Sequence, residues 1–298
     1  MIDPKAITTY AQYNEDIILL ALLHDTQKGF YVDVGANYSV IDSVTKLFYE
    51  KGWHGINIEP IKSLCEQLIK DRPKDITLQI GIGDKVYKEV FREYRDSSGH
   101  STFNIHQKQQ HDEIDDYIDY TVDVKPLKDI FIEHKVEHIH FLKIDVEGFE
   151  YQVIIGNNWN KFRPEVICIE ANHVSKDWRP ILTKNDYKLF LADGLNEYYV
   201  AKESWHRTEG FAERVIKLDY HALKQHQWQS WTEDSGLLTV LNNMAEAQKL
   251  EIDHLKHKTE LLMQLSMMQQ SWPRRLKRAL YGLTVDWFKY KKSIKSKK

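Results

Sequence analysis

Five acidic residues stand where predicted strands end, and their type and spacing could support chemistry. They are Asp33, Glu59, Asp84, Asp145 and Glu170. In a parallel sheet covered by helices, ligands bind outside the carboxyl ends of the strands. Carboxylates are rarely buried without partners, so packing does not explain five of them at such ends. The pattern predicts a cleft for a ligand that offers hydrogen-bond donors, such as an ammonium group or ribose hydroxyls.

The turn after the first acid favours a nucleoside ligand. Phe30–Val34 is a short apolar run typical of a buried strand, and the small residues Gly35 and Ala36 follow it. Glu59, at the end of the next strand, suits ribose hydroxyls. The glycine pattern of a dinucleotide-binding turn is missing after Gly35, which counts against hydride transfer. The Gly-Lys-Ser/Thr sequence of a P-loop is missing there too.

Alternating strands and helices place these acids in a mostly parallel α/β sheet, closed by a hairpin around Gly194 that adds an antiparallel strand. The predicted strands are 30–34, 55–58, 76–82, 138–144, 165–169, 187–191 and 197–200. The predicted helices are 13–24 with Asn14 as its cap, 43–51, the segment from Pro60 to Arg72, and 127–134.

Residues 95–119 lose the apolar periodicity and predict a long irregular connection. It is either a lid on the substrate side of the cleft or a solvated loop. His100, His106 and His111 are predicted to form a solvated face rather than a ligand set, because neither a cysteine nor a regular spacing supports a metal.

The C-terminal part differs from the rest in composition. We divide the chain into an α/β domain at 1–219, a helical segment at 220–271 and a basic amphipathic tail at 272–298. Residues 241–268 contain neither glycine nor proline and place apolar residues near heptad spacing, which predicts a helix able to pair as a coiled coil in a homo-oligomer. The tail combines a basic surface with an apolar stripe, which favours an anionic membrane surface over nucleic acid. A disordered, solvated end is the alternative.

Composition and the start of the chain predict where the protein works. Cys65 and Cys168 lie in apolar segments and predict buried thiols in a reducing compartment. The first residues lack the basic and apolar regions of a signal peptide, and no apolar run approaches the roughly 20 residues of a membrane span. We expect a cytoplasmic protein, held at the cytoplasmic face of the membrane by its tail.

Several motifs, in order along the chain, resemble the FkbM family of S-adenosylmethionine-dependent methyltransferases. They are YAQYNED at 10–16, FYVDVGAN at 30–37, FYEKGWHGINIEP at 48–60, STF at 101–103, HFLKIDVEGFE at 140–150, RPEVICIE at 163–170 and LADGLNEYYV at 191–200. The resemblance implies a class I, Rossmann-like methyltransferase fold, S-adenosylmethionine as the cofactor, and methyl transfer to oxygen, often on a sugar.

The resemblance also implies roles for individual residues. Asp33, Gly35 and Asn37 match the family's cofactor-binding turn, and Glu59 matches its ribose-binding acid. Asp84 matches the acid near the adenine, and Asp145 matches the residue beside the sulfonium and the incoming hydroxyl.

A sugar hydroxyl is a weak nucleophile and needs a general base or a metal ion. The catalytic candidates are Asp145, Glu147, Glu170 and His173, with Glu150 as a further carboxylate and a plain loop histidine as the alternative for His173. Asp145, Glu170 and Asn172 offer oxygens to Mg²⁺ or Mn²⁺, but only the count of oxygens supports a divalent metal, so we assign none. Lys143 is expected to form an ion pair with one of these acids.

Three functions remain open from the sequence. The first is a sugar O-methyltransferase of polysaccharide biosynthesis, with a glycan, nucleotide-sugar or lipid-linked sugar as substrate. The second is a small-molecule O-methyltransferase of secondary metabolism, and the third is a non-catalytic nucleotide-binding module. The basic tail and the loop rich in histidine and aromatic residues favour the first.

Overall fold

The computed structural model describes residues 7–95, 98–103, 116–172, 174–218 and 220–222. In chain order the strands are β1 (Ile7–Thr9), β2 (Phe30–Val34), β3 (His54–Ile58), β4 (Ile76–Leu78), β5 (Gly81–Ile82), β6 (Tyr87–Tyr94), β7 (Tyr117–Lys125), β8 (Phe141–Ile144), β9 (Val166–Glu170), β10 (Tyr187–Ala192), β11 (Asn196–Ala201) and β12 (Tyr220–Ala222). The helices are α1 (Glu15–Leu22), α2 (Lys46–Glu50), α3 (Lys62–Asp71), α4 (Leu127–Glu133), α5 (Glu150–Ile155), α6 (Arg179–Lys184) and α7 (Phe211–Lys217).

Seven strands form the central sheet, in the order β10-β11-β9-β8-β2-β3-β4. The neighbours among β9, β8, β2, β3 and β4 pair in parallel, whereas β11 pairs antiparallel with both β9 and β10. The mostly parallel α/β sheet and its closing hairpin are as predicted. The fold is consistent with a Rossmann-like methyltransferase.

The two faces of this sheet differ in chemistry, because side chains alternate along each strand. One face carries Val32, Leu142 and Ile167 into the main hydrophobic core, where they are fully buried. The residues that follow each of them in sequence are Asp33, Lys143 and Cys168, which are register partners in adjacent strands. The polar groups at the centre of the sheet therefore share the opposite face.

A second, three-stranded sheet was not predicted. Its order is β5-β7-β6, with β6 and β7 antiparallel. Surface ion pairs cross this hairpin between Arg92 and Asp119, at 2.7 Å, and between Lys88 and Asp123, at 2.9 Å. The predicted irregular connection 95–119 is therefore shorter than expected, because β7 begins at Tyr117.

Two local predictions are wrong for physical reasons. The run Ile76–Ile82 is not one strand, because Gly81 and Ile82 leave the central sheet and pair with β7 instead. Asn14 does not cap α1 with its side chain, since it adopts a left-handed backbone with φ 61°. Asp16 accepts hydrogen bonds from the backbone N–H groups of Ile17, at 2.9 Å, and Tyr10, at 2.8 Å.

Other predictions are met or lie outside the described residues. Cys65 and Cys168 are buried free thiols, as predicted. Within the described residues, no helix has the length and apolar composition that crossing a membrane requires. The predicted coiled coil at 241–268 and the tail at 272–298 fall outside the described residues, so both stay predictions.

Candidate active site

Four of the five predicted acids lie together at the carboxyl edge of the central sheet. Asp33 is the penultimate residue of β2, Glu170 is the last residue of β9, and Glu59 and Asp145 directly follow β3 and β8. Asp145 lies two residues after Lys143, and Glu170 two residues after Cys168. Because strand side chains have a period of two, these acids belong to the polar face that carries Asp33. The sheet thus presents them as one cluster.

Asp84 is not part of this cluster. It follows β5 in the second sheet, and its side chain is exposed. The expectation that it ends a strand of the central sheet is therefore wrong. His173 lies outside the described residues, so its catalytic role stays a prediction.

The turn after β2 has no room for a side chain at Gly35. Gly35 has φ +80°, and a Cβ atom there would lie 1.8 Å from the backbone oxygen of Asp145. The N–H groups of Gly35 and Ala36 both donate to the carbonyl of Ile58, at 3.0 and 3.1 Å. This turn therefore brings three strand ends into contact, and its bare backbone permits the close approach of a ligand.

Glu59 stabilises the same turn from the neighbouring strand. Its Oε2 accepts a hydrogen bond from the backbone N–H of Asn37, and its Oε1 accepts one from Ile61, both at 2.8 Å. Burial raises the pKa of Glu59 to about 7, although the two N–H donors and Lys143 oppose that shift. Each carboxylate oxygen keeps a further lone pair, so Glu59 can still accept a hydroxyl donor.

Lys143 forms the predicted ion pair, with two acids rather than one. Its Nζ lies 3.2 Å from Asp145 Oδ2 and 3.6 Å from Asp33 Oδ1, and it donates to the carbonyl of Gly35 at 2.8 Å. Burial lowers the pKa of Lys143, but the attraction of Asp145 and Asp33 outweighs it, so the pKa lies above its ordinary value. Lys143 is a charged structural group that fixes Asp145 and the Gly35 turn relative to each other.

Three carboxyl groups converge beside Lys143. Oxygen atoms of Asp145, Glu147 and Glu170 all lie within 4.8 Å of one another. Burial, followed by repulsion from Asp145, raises the pKa of both Glu147 and Glu170. Either a proton or a divalent cation would relieve this repulsion. A cluster that holds a proton next to an ion-paired carboxylate is suited to acid–base chemistry.

The described part of the predicted lid contacts both the turn after β2 and the loop after β8. Ser98 Oγ donates to Asn37 Oδ1 at 3.1 Å, and Thr102 Oγ1 donates to the backbone carbonyl of Glu147 at 2.8 Å. His100 ends the short 3₁₀ turn between them and is exposed. Residues 98–103 therefore link the turn after β2 to the loop after β8.

A buried arginine lies behind the turn, and no sequence pattern predicted it. Arg72 is fully buried at the end of α3 and donates to Thr45 Oγ1 and to the carbonyl of Ser39, both at 2.6 Å. Thr45 Oγ1 in turn donates to Asp33 Oδ2 at 2.8 Å. The Thr45 hydroxyl thus connects the buried guanidinium of Arg72 to the buried carboxylate of Asp33.

Replacing Thr45 with valine tests this connection. Valine keeps the shape of the side chain but leaves Asp33 Oδ2 and one Arg72 N–H without partners in a buried site. We expect the free energy of unfolding, measured in urea, to fall by about 1–3 kcal/mol. Thr183→Val is the matched control, because Thr183 is exposed and donates only to the carbonyl of Arg179. Equal stability losses for the two variants would contradict the connection.

Glu150 gives a pH-dependent prediction. It is buried, accepts N–H donors from Gly148 and Val146, and burial raises its pKa from 4.5 to about 7. Between these values the folded state must hold a proton that the unfolded chain has released, so this group lowers stability as pH rises. Glutamine has no such proton. The stability of Glu150→Gln relative to wild type should therefore increase by about 1–3 kcal/mol between about pH 4.5 and pH 8.

Denaturation at a series of pH values checks this prediction. Glu133→Gln is the control, because the exposed Glu133 pairs with Lys125, which lowers its pKa, and it should show no such gain. If the difference in the free energy of unfolding between Glu150→Gln and wild type does not change with pH, burial does not raise the pKa of Glu150.

A separate polar group lies at the opposite edge of the sheet. His138, His140 and Glu165 precede β8 and β9, and His138 Nε2 lies 2.7 Å from Glu165 Oε1. His140 Nδ1 accepts the backbone N–H of Phe30 at 3.0 Å, so its other ring nitrogen carries the proton in the neutral form. In this tautomer His140 has no free lone pair for a metal.

A Rossmann-like sheet with a bare turn after β2 and carboxylates at its edge is the arrangement in which open α/β proteins, methyltransferases among them, bind nucleotide-type ligands. Comparison with known families agrees. The family model described as "Methyltransferase FkbM domain" matches residues 33–189, more than half of the chain. The chain belongs to the FkbM methyltransferase family, as the sequence motifs predicted. A comparison with curated proteins gives no match.

Proposed function

We propose that this methyltransferase uses S-adenosylmethionine to methylate a sugar hydroxyl of a glycan or glycolipid precursor. The observation that supports it most is the group of Asp145, Glu147 and Glu170 beside the Gly35 turn. It brings together a place for a nucleoside and carboxyl groups that can take a proton from a hydroxyl.

The residues at the turn fit the cofactor. Gly35 leaves the backbone bare, Asn37 is held by Glu59, and Glu59 can accept the ribose hydroxyls. Asp33 Oδ1 is buried with no hydrogen-bond donor among the described residues, although Lys143 Nζ lies 3.6 Å away. S-adenosylmethionine, when bound, supplies a methyl group on a sulfonium centre.

The protein's contribution is alignment and proton transfer. Methyl transfer is an in-line displacement, so holding the acceptor oxygen in position supplies much of the acceleration. Asp145 lies at the strand end next to the turn, where its carboxylate would accept the proton of the acceptor hydroxyl as the general base. Glu147 and Glu170, with raised pKa, would hold a proton and donate hydrogen bonds to neighbouring acceptor oxygens.

A transfer assay tests the proposal. Purified protein, tritiated S-adenosylmethionine and methyl α-D-glucopyranoside, methyl α-D-mannopyranoside or methyl α-D-galactopyranoside should give a labelled glycoside with an O-methyl signal in its NMR spectrum. Catechols and flavonoids serve as the comparison for a small-molecule enzyme. Transfer to those phenols alone would overturn the sugar assignment, and no binding of S-adenosylmethionine would overturn the enzymatic assignment.

The C-terminal residues extend the proposal. We keep the hypotheses that residues 241–268 pair in a homo-oligomer and that residues 272–298 bind an anionic membrane, which would suit lipid-linked substrates. Sedimentation with phosphatidylserine liposomes tests the second. Truncation after residue 271 should abolish co-sedimentation, and unchanged sedimentation would remove the hypothesis.

A further inference from the structure

The segment before α1 is fixed beside the last residue of β9. Asn196 is the register partner of Glu170 across the antiparallel pair of β11 and β9. The buried Asn196 amide donates to Glu15 Oε1 at 3.1 Å, and Glu15 Oε2 accepts the backbone N–H of Tyr13 at 2.7 Å. Tyr13 is therefore tied, through Glu15, to the strand position next to the carboxyl cluster.

The hairpin turn at this position is itself rigid. Asp193 accepts the backbone N–H groups of Leu195 and Asn196, at 2.9 and 2.6 Å, and the hydroxyl of Tyr198 at 2.9 Å. Asp193 has no need of a further donor. Its carboxylate stabilises the hairpin turn and is not needed as an acceptor for a ligand.

The hydroxyl of Tyr13 is available to a ligand. The residue is half-buried, and no described residue forms a hydrogen bond with its hydroxyl. Burial, followed by the nearby carboxylates of Glu15, Asp193 and Glu170, raises its pKa, so the phenol remains a donor at neutral pH. Glu170 Oε2 is buried and accepts no hydrogen bond from a described N–H or O–H donor, although the Glu170 carboxyl also lies within hydrogen-bond reach of Asp145.

Glu170 lies away from the turn that would hold a nucleoside, and the Tyr13 backbone is tied to the strand position next to it. Glu59 and the Gly35 turn belong to β3 and β2, whereas Glu170 belongs to β9, which β8 separates from β2. Neighbouring strands are about 4.8 Å apart, so Glu170 is roughly two strand spacings from the end of β2. A nucleoside held at β2 and β3 leaves the β9 end for the molecule that receives the methyl group.

We propose that Tyr13 and Glu170 form a subsite for a second hydroxyl of the acceptor, next to the hydroxyl that is methylated. The inference rests on the proposed function and narrows its substrate class to polyols with neighbouring hydroxyls, as in a sugar ring. The phenol of Tyr13 donates to the second oxygen, and Glu170 contacts the same oxygen from the strand side.

Tyr13→Phe tests the subsite. The variant is compared with the wild-type protein on the methyl glycoside that the wild type methylates fastest. We expect the KM for this glycoside to rise by about three- to tenfold, since one neutral hydrogen bond is lost, with little change in kcat. The calorimetric Kd for S-adenosylmethionine should stay the same. Tyr10→Phe is the matched control, because Tyr10 donates its hydroxyl to the distant, exposed Glu50 at 2.8 Å, and it should behave like wild type.

Monodeoxy analogues of the same glycoside provide a readout that a structural role would not change. With the wild-type protein, one analogue should raise KM by the same factor as the Tyr13→Phe substitution does with the parent glycoside. With Tyr13→Phe, the KM for that analogue and the KM for the parent glycoside should be equal. An unchanged KM for Tyr13→Phe, or a weaker Kd for S-adenosylmethionine with unchanged glycoside KM, would overturn the subsite. Wild-type protein that binds S-adenosylmethionine but methylates no glycoside would overturn the proposed function, and the subsite with it.

Discussion

Replacing Asp145 with asparagine should lower kcat for methyl transfer by about 10²- to 10⁴-fold, the usual contribution of a general base. Asparagine keeps the size of the side chain but cannot accept the proton of the acceptor hydroxyl. Lys143 keeps Asp33 and the Gly35 carbonyl as partners, so the turn should survive the change. The Kd for S-adenosylmethionine, measured by calorimetry, should therefore stay within a small factor of wild type.

Asp123→Asn is the control for this experiment. Asp123 is an exposed carboxylate on β7, in the second sheet, that pairs with Lys88, and its loss should leave kcat unchanged. If Asp145→Asn methylates at the wild-type rate, Asp145 is not the base and the roles assigned to the cluster are wrong. A loss of kcat together with a loss of cofactor binding would make Asp145 a binding residue instead.

Replacing Gly35 with alanine should produce the largest loss of stability. The new Cβ atom would lie 1.8 Å from the backbone oxygen of Asp145, and a backbone atom cannot move aside as a flexible side chain can. The left-handed φ of +80° adds a further cost for any residue with a Cβ atom. We expect the free energy of unfolding to fall by at least about 3 kcal/mol, with S-adenosylmethionine binding lost in the protein that remains folded.

Gly52→Ala separates the two causes. Gly52 has nearly the same backbone angle, φ +84°, but a Cβ atom there would meet nothing within 4 Å. It should lose only the conformational cost of about 1–2 kcal/mol and keep cofactor binding. Similar losses in the two variants, measured by denaturation, would mean that close contact between the turn and Asp145 does not matter.

The sequence predicted that four of the strand-end acids lie together because its signals are local. Phe30–Val34 is predicted to the residue, and the acids after β3 and β8 follow apolar runs whose ends are easy to recognise. Once the sheet is taken as parallel, the carboxyl ends meet at one edge without further information. This is why Asp33, Glu59, Asp145 and Glu170 are found together.

The missed features depend on contacts between distant residues. The small sheet needs β5 to pair with β7, some forty residues later, which an apolar pattern in Ile76–Ile82 does not reveal. The link from Arg72 to Asp33 runs through the Thr45 hydroxyl, and Arg72 at a helix end has the sequence appearance of a surface residue. The contact between Glu15 and Asn196 joins the two ends of the domain, so only the fold shows that the segment before α1 lies near the end of β9.

The most direct test is a crystal structure of the protein with S-adenosylhomocysteine. We predict that the ribose hydroxyls donate to Glu59 against the bare backbone of the Gly35 turn, and that the sulfur faces Asp145 and Glu170. A nucleoside bound on another surface, with these carboxyl groups facing away from it, would contradict the account.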